Sequence, residues 1–434
     1  MRSFPSLAPS RLIPTYFPSL GERNFRIFWI GQAFSLTGTW MQNVGQAWLV
    51  LELTGSPTKL GVVSAMQFLP MMLLSLFAGP FIDRFPKRRI ILITQTVLMF
   101  LALALATLTA TGLISYPIIL VMAFLLGLVN LVDNPTRQAF IIELSGREHL
   151  MNAVSLNSAA FNLARIVGPA VAGLLMEAIG IAPCFYLNAA SFLAVIGALL
   201  LVDAGKSARG PAISSFKEVL ASSREGLSYI AGRREIMLPL VLLSIISTLV
   251  INYNVFVPTF AKSALGRSAS GYGFLMTAIG IGSVIAALSL AARSRRGPSS
   301  LRLYGGAVAL SLAMAATGLQ RSYALSIGLL VVVGFSTISM SASANARIQL
   351  LADDAHRGRV MSVYSLVFGG VTPIGALYAG ALVDRAGPGV AMTVSGIAGL
   401  AAALVLIVLA RRKAVAGTGG PGRVVRAPPA QPQA

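Results

Sequence analysis

Charge is scarce in this chain. Only 11% of its 434 residues are charged while 56% are apolar, whereas a soluble domain carries about a quarter charged residues. A single large polytopic membrane domain is expected, not a soluble core. Acids are scarcer still: 14 Asp and Glu stand against 34 Lys and Arg, a net charge of +20. Such an excess would suit nucleic acid if it lay along one face, but the bases come in small groups between apolar runs, so no nucleic-acid partner is expected. The single cysteine, Cys184, excludes an intramolecular disulfide and a clustered-cysteine metal site. The two histidines, His149 and His356, fall in loops where solvation is expected. Clustered nucleophiles, bases or metal ligands are missing, which argues against an enzyme. Gly205-Lys206-Ser207 looks like the end of a phosphate loop, yet position 200 is leucine where that motif needs glycine, so no nucleotide cofactor is expected. Residues 1–25 contain prolines and arginines without a continuous apolar stretch, so no cleavable signal is read there and the first span is expected to direct insertion.

Apolar runs are what the chain has in abundance. Crossing roughly 30 Å of hydrocarbon takes about 20 apolar residues in a helix. Punctuation by Gly, Pro and charge divides the sequence into twelve such spans, at 26–52, 59–82, 89–111, 115–134, 154–179, 182–202, 236–261, 271–292, 301–319, 322–345, 361–384 and 389–410. With the N-terminus inside, 28 of the 34 bases fall in inner segments, five fall outside, and Arg165 is left within a span. That asymmetry orients helices in a bilayer, so both termini are expected to be cytoplasmic. The longest interval, 203–235, lies at mid-chain, and its Phe216, Val219, Leu220, Leu227 and Ile230 suit either an interfacial amphipathic helix or a partly ordered linker. Residues 411–434 read as a disordered tail.

A repeat divides the rest equally. Met151, Ser155 and Leu156 recur 210 residues later as Met361, Ser365 and Leu366, and Gly168, Gly173 and Gly180 recur 207 later as Gly375, Gly380 and Gly387. The expected fold is therefore all-α, with two pseudo-symmetric six-helix bundles at 26–202 and 236–410.

Between spans two and three one acid and four bases are compressed into a hairpin, Gly79-x-x-x-Asp83-Arg84-x-x-Lys87-Arg88-Arg89. With Asn134-Pro135-x-Arg137-Gln138-Ala139 after span four and Asn162-x-x-Arg165-x-x-Gly168-Pro169-x-x-x-Gly173 in span five, it resembles the major facilitator superfamily over nearly all the spans. Within that superfamily the chain is similar to the branch of the enterobactin exporter and the macrolide-efflux proteins. The resemblance implies alternating access around a central cavity, protons as coupling ion, a small organic solute such as a siderophore, macrolide or other drug-like compound, and the bacterial cytoplasmic membrane. It also implies that Asp83 lies near Met361 and that Arg84 or Arg88 lies near Asp133, so that Gly79, Asp83, Arg84, Arg88, Arg89 and Asp133 form a gate. The second half has bases at Arg293, Arg295 and Arg296 without an acid, so the gate is expected to be asymmetric. A monomer is expected. A lipid flippase, a solute importer or a non-transporting sensor or scaffold would share these features.

Other residues are singled out by physical cost. Arg165 in mid-span costs about 2.5–3.5 kcal/mol on insertion scales, so it faces protein or water. It either binds an anionic group of the solute or is neutralised by a carboxylate or carbonyls of a neighbouring helix. Asn162 lies on the same face. In the first span Gln32, Ser35, Thr39, Gln42 and Gln46 recur at intervals of three and four, with Asn43 beside them. Lipid would leave these groups unpaired, so the stripe is expected to face a cavity or another span. Asn252 and Asn254 in span seven are its expected counterpart, flanking Tyr253. Gln67, Met66, Met71, Met276 and Thr277 of spans two and eight are candidates to extend the wall, with ordinary helix packing the expected place of each methionine. Titratable groups for proton coupling are few, and Glu52 and Asp133 are preferred over Glu177 and Asp384, which read as hydrated helix ends.

Overall fold

Hydropathy and glycine decide where the helices run and how closely they cross. In a computed structural model the described residues are 17–146, 148–203, 216–292, 299–354 and 356–416, with the side chains at 76–78, 80, 81, 83, 216–223 and 411–416 outside the description. The first half comprises α1 (Arg23–Thr54), α2 (Pro57–Arg84), α3 (Lys87–Ala110), α4 (Tyr116–Ser145), α5 (Leu150–Ile179) and α6 (Ala182–Leu201). The second comprises α7 (Arg234–Ala264), α8 (Ala269–Ala292), α9 (Ser300–Leu319), α10 (Tyr323–Leu351), α11 (Arg357–Ala386) and α12 (Pro388–Ala416). Eleven of these helices are long and apolar enough to cross a bilayer. The twelfth is α1: its 32 residues exceed a bilayer's span, and its polar stripe lowers its hydropathy. α12 continues to Ala416, past the expected limit at 410, and residues 417–434 lie outside the described residues.

The two halves pack alike. α1 meets α5 and α6, α3 meets α4 and α6, and α2 meets α4; six helices later α7 meets α11 and α12, α9 meets α10 and α12, and α8 meets α10. The halves join chiefly where α5 crosses α8 and α2 crosses α11. Small residues make both crossings possible, since close backbone approach replaces the hydrophobic drive that lipid removes. A Cβ added to Gly173 would sit 3.1 Å from the Gly273 Cα, and one added to Gly61 would sit 3.2 Å from the Gly380 Cα. The repeat is visible in the turns as well: Gly180 and Gly387 end α5 and α11 at φ of 88° and 81°, a left-handed conformation that favours glycine. The register of the repeat slips by three residues where α11 winds into a π segment at Leu366–Gly370.

α7 is broken. Helical winding stops at Leu249 and resumes at Tyr253, and the Asn252 side-chain amide donates to the Thr248 carbonyl at 2.8 Å, satisfying an acceptor that the break frees.

The mid-chain interval contains a helix, Phe216–Gly232, while 204–215 lie outside the described residues. Ile230 is buried and Leu227 exposed. This helix docks on the α10–α11 connection. Arg233 pairs with Asp353 at 2.7 Å, and Arg359 pairs with Glu225 at 2.6 Å. The Tyr229 ring stacks on His356 at 4.3 Å, and the Tyr229 hydroxyl accepts from the Asp353 backbone N–H. His356 is thus held in an interface, contrary to the solvated position expected of it, because an aromatic face and an acid are both within its reach.

Candidate functional site

A cavity of about 650 Å³ occupies the first half and reaches across to α11. Its α1 wall is Thr39, Trp40, Gln42 and Asn43, and α2 adds Gln67, Phe68 and Met71. α4 contributes Asn130, Asn134, Arg137 and Gln138, and α6 contributes Asn188. Phe161 and Phe192 supply aromatic surface, and from the second half Ser362 and Ser365 close one side. Amides and aromatics together suit a bulky solute with polar edges.

The cavity is accessible at the end that carries the charged hairpin. Gly79, Asn134, Gln138, Ser362 and Ser365 line it there and are exposed. The opposite end is sealed. Trp48 and Tyr272 are buried and stacked at 5.7 Å, and the Lys262 ammonium stands 5.6 Å from the Trp48 ring centroid while donating to the Leu51 carbonyl at 3.2 Å. Trp48 donates to Glu52 at 2.6 Å. Two acids clamp the crossings at that end. Ser268, just before α8, donates to Glu177 of α5 at 2.8 Å, and Thr58 of α2 donates to Asp384 of α11 at 3.0 Å. Glu177 and Asp384 are therefore not merely hydrated helix ends; each bonds across the two halves.

The α1 stripe divides between packing and cavity. Gln32 donates to Asn157 of α5 at 2.8 Å, and Gln42 accepts from Asn188 of α6 at 2.6 Å. Gln32, Ser35 and Gln46 are buried away from the cavity, and Thr39, Gln42 and Asn43 line it. The expected second-half wall is not formed by amides. Asn252 is used at the α7 break, and neither it nor Asn254 lines this cavity, which meets the second half through two serines of α11. Asn162 likewise stands outside it, donating to the Ser158 carbonyl of its own helix at 2.8 Å. Asn188 gave little sign of its role, being one amide in an apolar run; only the pairing of α6 with α1 turns it inward.

Asp133 is fully buried, and its partner differs from the one expected. Arg137, one helical turn along, forms the ion pair, and Thr94 and Gln95 of α3 donate to the same carboxylate at 2.5 Å and 2.9 Å. Arg88 instead donates to the Leu199 carbonyl at 2.8 Å, covering the unpaired C-terminal acceptors of α6. Arg84 is exposed and lies 6.0 Å from the Phe85 ring centroid. Local geometry explains the exchange: an i,i+4 partner needs no loop to reach it, whereas free helix-end carbonyls attract the hairpin base. Lys87 pairs with Glu143 at 2.5 Å, tying the hairpin to α4. The Asp83 side chain, and with it the expected contact to Met361, lies outside the described residues. Gly79 has nothing within 4 Å of where its Cβ would be, because the cavity opens there. Arg89 is exposed.

Arg165 stands behind the α1 wall. Its guanidinium lies 5.6 Å from the Trp40 ring centroid, and Phe161 meets that ring edge-on at 5.8 Å.

Two six-helix halves about a polar cavity, with the hairpin between the second and third spans, define a major facilitator transporter. The chain belongs to the transmembrane secretion effector family, whose model matches residues 14–421. It is 29% identical to the staphyloferrin A transporter of Staphylococcus aureus over 58% of this chain and 63% of that protein, somewhat less than two thirds of the relative's length. It is 27% identical to the multidrug efflux pump Tap of Mycolicibacterium fortuitum over 78% of this chain and 84% of the pump. The enterobactin exporter EntS of Shigella boydii is 25% identical over 89% of this chain and 92% of the exporter. Among solved structures, the nucleoside transporter NupG matches with a TM-score of 0.70 at 13% identity, covering 89% of this chain and 98% of that one. A bacterial homologue of the iron transporter ferroportin in its inward-facing state matches with a TM-score of 0.68 at 17% identity, over 89% and 98%. At these identities the structures speak for the fold alone.

Proposed function

We propose that the chain is a proton-coupled secondary exporter of a small organic solute in the bacterial cytoplasmic membrane, working as a monomer by alternating access. The observation that carries this reading is the cavity itself, exposed at the hairpin end and sealed by Trp48, Tyr272 and Lys262 at the other. With both termini cytoplasmic, as the distribution of bases favours, this is the inward-facing state, ready to load from the cytoplasm. The bundles 26–202 and 236–410 are the rocking units, joined by 203–235. Gly79, Asp83, Arg84, Arg88 and Arg89 then close the hairpin end when the outer end opens, with the open space over Gly79 receiving α11. Asp133 is the stronger proton carrier of the two acids. It is buried beside a cavity-lining arginine, whereas Glu52 is exposed at the outer end.

Siderophores, macrolides and other drug-like compounds are the solute classes that the named relatives and the resemblance support. In proteoliposomes with an imposed pH gradient, one or more compounds of such a panel should accumulate against its own gradient, and a protonophore should stop the accumulation. Movement indifferent to pH would sink the proton coupling but keep the transporter. Uptake in the opposite sense would make the protein an importer, movement of labelled phospholipid a flippase, and binding without counterflow a sensor.

A further inference from the structure

Hydrogen-bonding groups on the cavity wall fall into two sets. Thr39, Ser362 and Ser365 donate to carbonyls of their own helices, and Gln42 and Asn188 bond each other. Five further carboxamides line the cavity, and among the described residues none of the five has a hydrogen-bond partner. Asn43 of α1, Gln67 of α2 and Asn130 of α4 are half-buried, while Asn134 and Gln138 are exposed at the hairpin end. Glycine draws two of these helices together. A Cβ on Gly127 would meet the Gln67 carbonyl oxygen and stand 3.2 Å from the Pro70 Cδ, so α4 approaches α2 closely one turn before Asn130. Charge is almost missing from the same surface. Arg137 is the one charged residue among the described lining residues, and Asp133 neutralises it. Arg165 stands behind Trp40, outside the wall. Trp40, Phe68, Phe161 and Phe192 share the cavity with the amides.

We infer that the cavity reads its solute by hydrogen bonds and not by charge: it takes a neutral molecule whose carboxamide or hydroxyl groups project from an aromatic or apolar body, and Asn43, Gln67 and Asn130 are the specificity-determining residues. This rests on the transport reading above and narrows its solute class. Each carboxamide offers two donors and an acceptor, so three of them on three helices match groups that both give and take. Water can satisfy them while the cavity is open. A solute with hydroxyls or amides of its own replaces those bonds, whereas a methylated analogue displaces the water and returns nothing. An ion would surrender its hydration to a wall without a free counter-ion.

The test uses the full-length protein purified in detergent and probes that share one body. Equilibrium binding is measured for neutral N-acetyltryptophanamide, its dimethylamide, the anion N-acetyltryptophan and the cation tryptophanamide, and for 2,3-dihydroxynaphthalene against 2,3-dimethoxynaphthalene. At least one neutral parent should bind about tenfold or more tightly than its methylated analogue, and N-acetyltryptophanamide should bind more tightly than either ion. Gln67→Met and Asn130→Leu should each narrow the gap severalfold by weakening the parent, with the methylated analogue unchanged. Circular dichroism and thermal unfolding check each variant, and the wild-type ordering alone decides the matter if a variant does not fold. Equal binding of both parents and their methylated analogues, tighter binding of an ion, or no binding of either parent up to its solubility overturns the inference. A variant that folds but weakens parent and analogue alike also counts against it. Counterflow in proteoliposomes separates the two readings. Transport of an ion without preference for the neutral parent keeps the transporter and discards the hydrogen-bonding site. Binding selective for the parents, without counterflow of any compound, keeps the site and discards transport.

Discussion

Removing the Asp133 carboxylate would leave the Arg137 guanidinium in a buried setting without its counter-ion, and one of its nitrogens, Nη1, already has no hydrogen-bond partner among the described residues. Breaking a buried pair from one side costs about 3–5 kcal/mol, while replacing both partners by apolar residues of similar volume is often neutral. Asp133→Ala should therefore lower unfolding stability by roughly that amount, and the double change Asp133→Leu with Arg137→Met should recover only part of it, since Thr94 and Gln95 still lose their acceptor. Chemical denaturation in detergent measures both, and a cost below about 1 kcal/mol for the single change would mean that water reaches the pair. At this scale the sequence was only partly legible. Periodicity said which α1 residues share a face, but it could not say that Gln32 would meet Asn157 or that Gln42 would meet Asn188, since both depend on which helices become neighbours. The expected Arg88 partner failed for the same reason: the base bonds the end of α6, which the sequence does not mark as its neighbour.

Element by element, the halves are joined by glycines whose missing side chains are already accounted for by neighbouring backbone. A Cβ on Gly380 would fall 2.7 Å from the Pro57 carbonyl oxygen, and one on Gly173 would fall 3.0 Å from the Ala269 carbonyl oxygen. Gly380→Val and Gly173→Val should each push the crossing helices apart, at about 1–3 kcal/mol of overpacking. Labelling of a cysteine introduced at the sealed, Trp48–Tyr272 end by a hydrophilic maleimide should become faster in both. Gly197→Ala is the control, because nothing lies within 4 Å of its Cβ position, and it should leave labelling unchanged. Equal labelling in all three would show that the crossings do not seal that end. The repeat in the sequence marked both α5 and α11 glycines as equivalent, and the left-handed turns at Gly180 and Gly387 follow from it. Hydropathy could not announce the break in α7, since the interruption at Val250–Asn252 lies within an otherwise continuous apolar run.

The helix Phe216–Gly232 gives a second prediction at this scale. Its ion pairs are exposed, and each such pair is worth about 0–1 kcal/mol, so Arg233→Ala should change little. Tyr229→Ala removes at once the stack on His356, the acceptor for the Asp353 N–H and the platform for Arg233, 4.5 Å from its ring centroid. Amide hydrogen exchange across 216–232 should then accelerate in Tyr229→Ala and stay near wild type in Arg233→Ala. The reverse order would mean that charge, not the aromatic contact, docks the helix.

For the whole molecule, a rigid-body exchange requires the two ends of the cavity to move in opposite senses. On the proposed alternating access, the crossings of α2 with α11 and of α5 with α8 would serve as pivots, and the seal of Trp48, Tyr272 and Lys262 would part when the hairpin end closes. The architecture was the most legible feature of all, because composition pointed to a membrane domain, apolar run length to twelve spans and the repeat to two bundles. Which end stands open was not, since it depends on packing between halves that no local pattern encodes. Spin-label distances measured on two double-cysteine variants test the exchange directly: Gln138 with Ser362 at the hairpin end, and Lys59 with Arg385 at the sealed end, all four positions being exposed. As pH is lowered or a bound solute is added, the first distance should shorten while the second lengthens. Distances that change in the same sense, or that stay fixed at every pH and with every solute, would contradict alternating access.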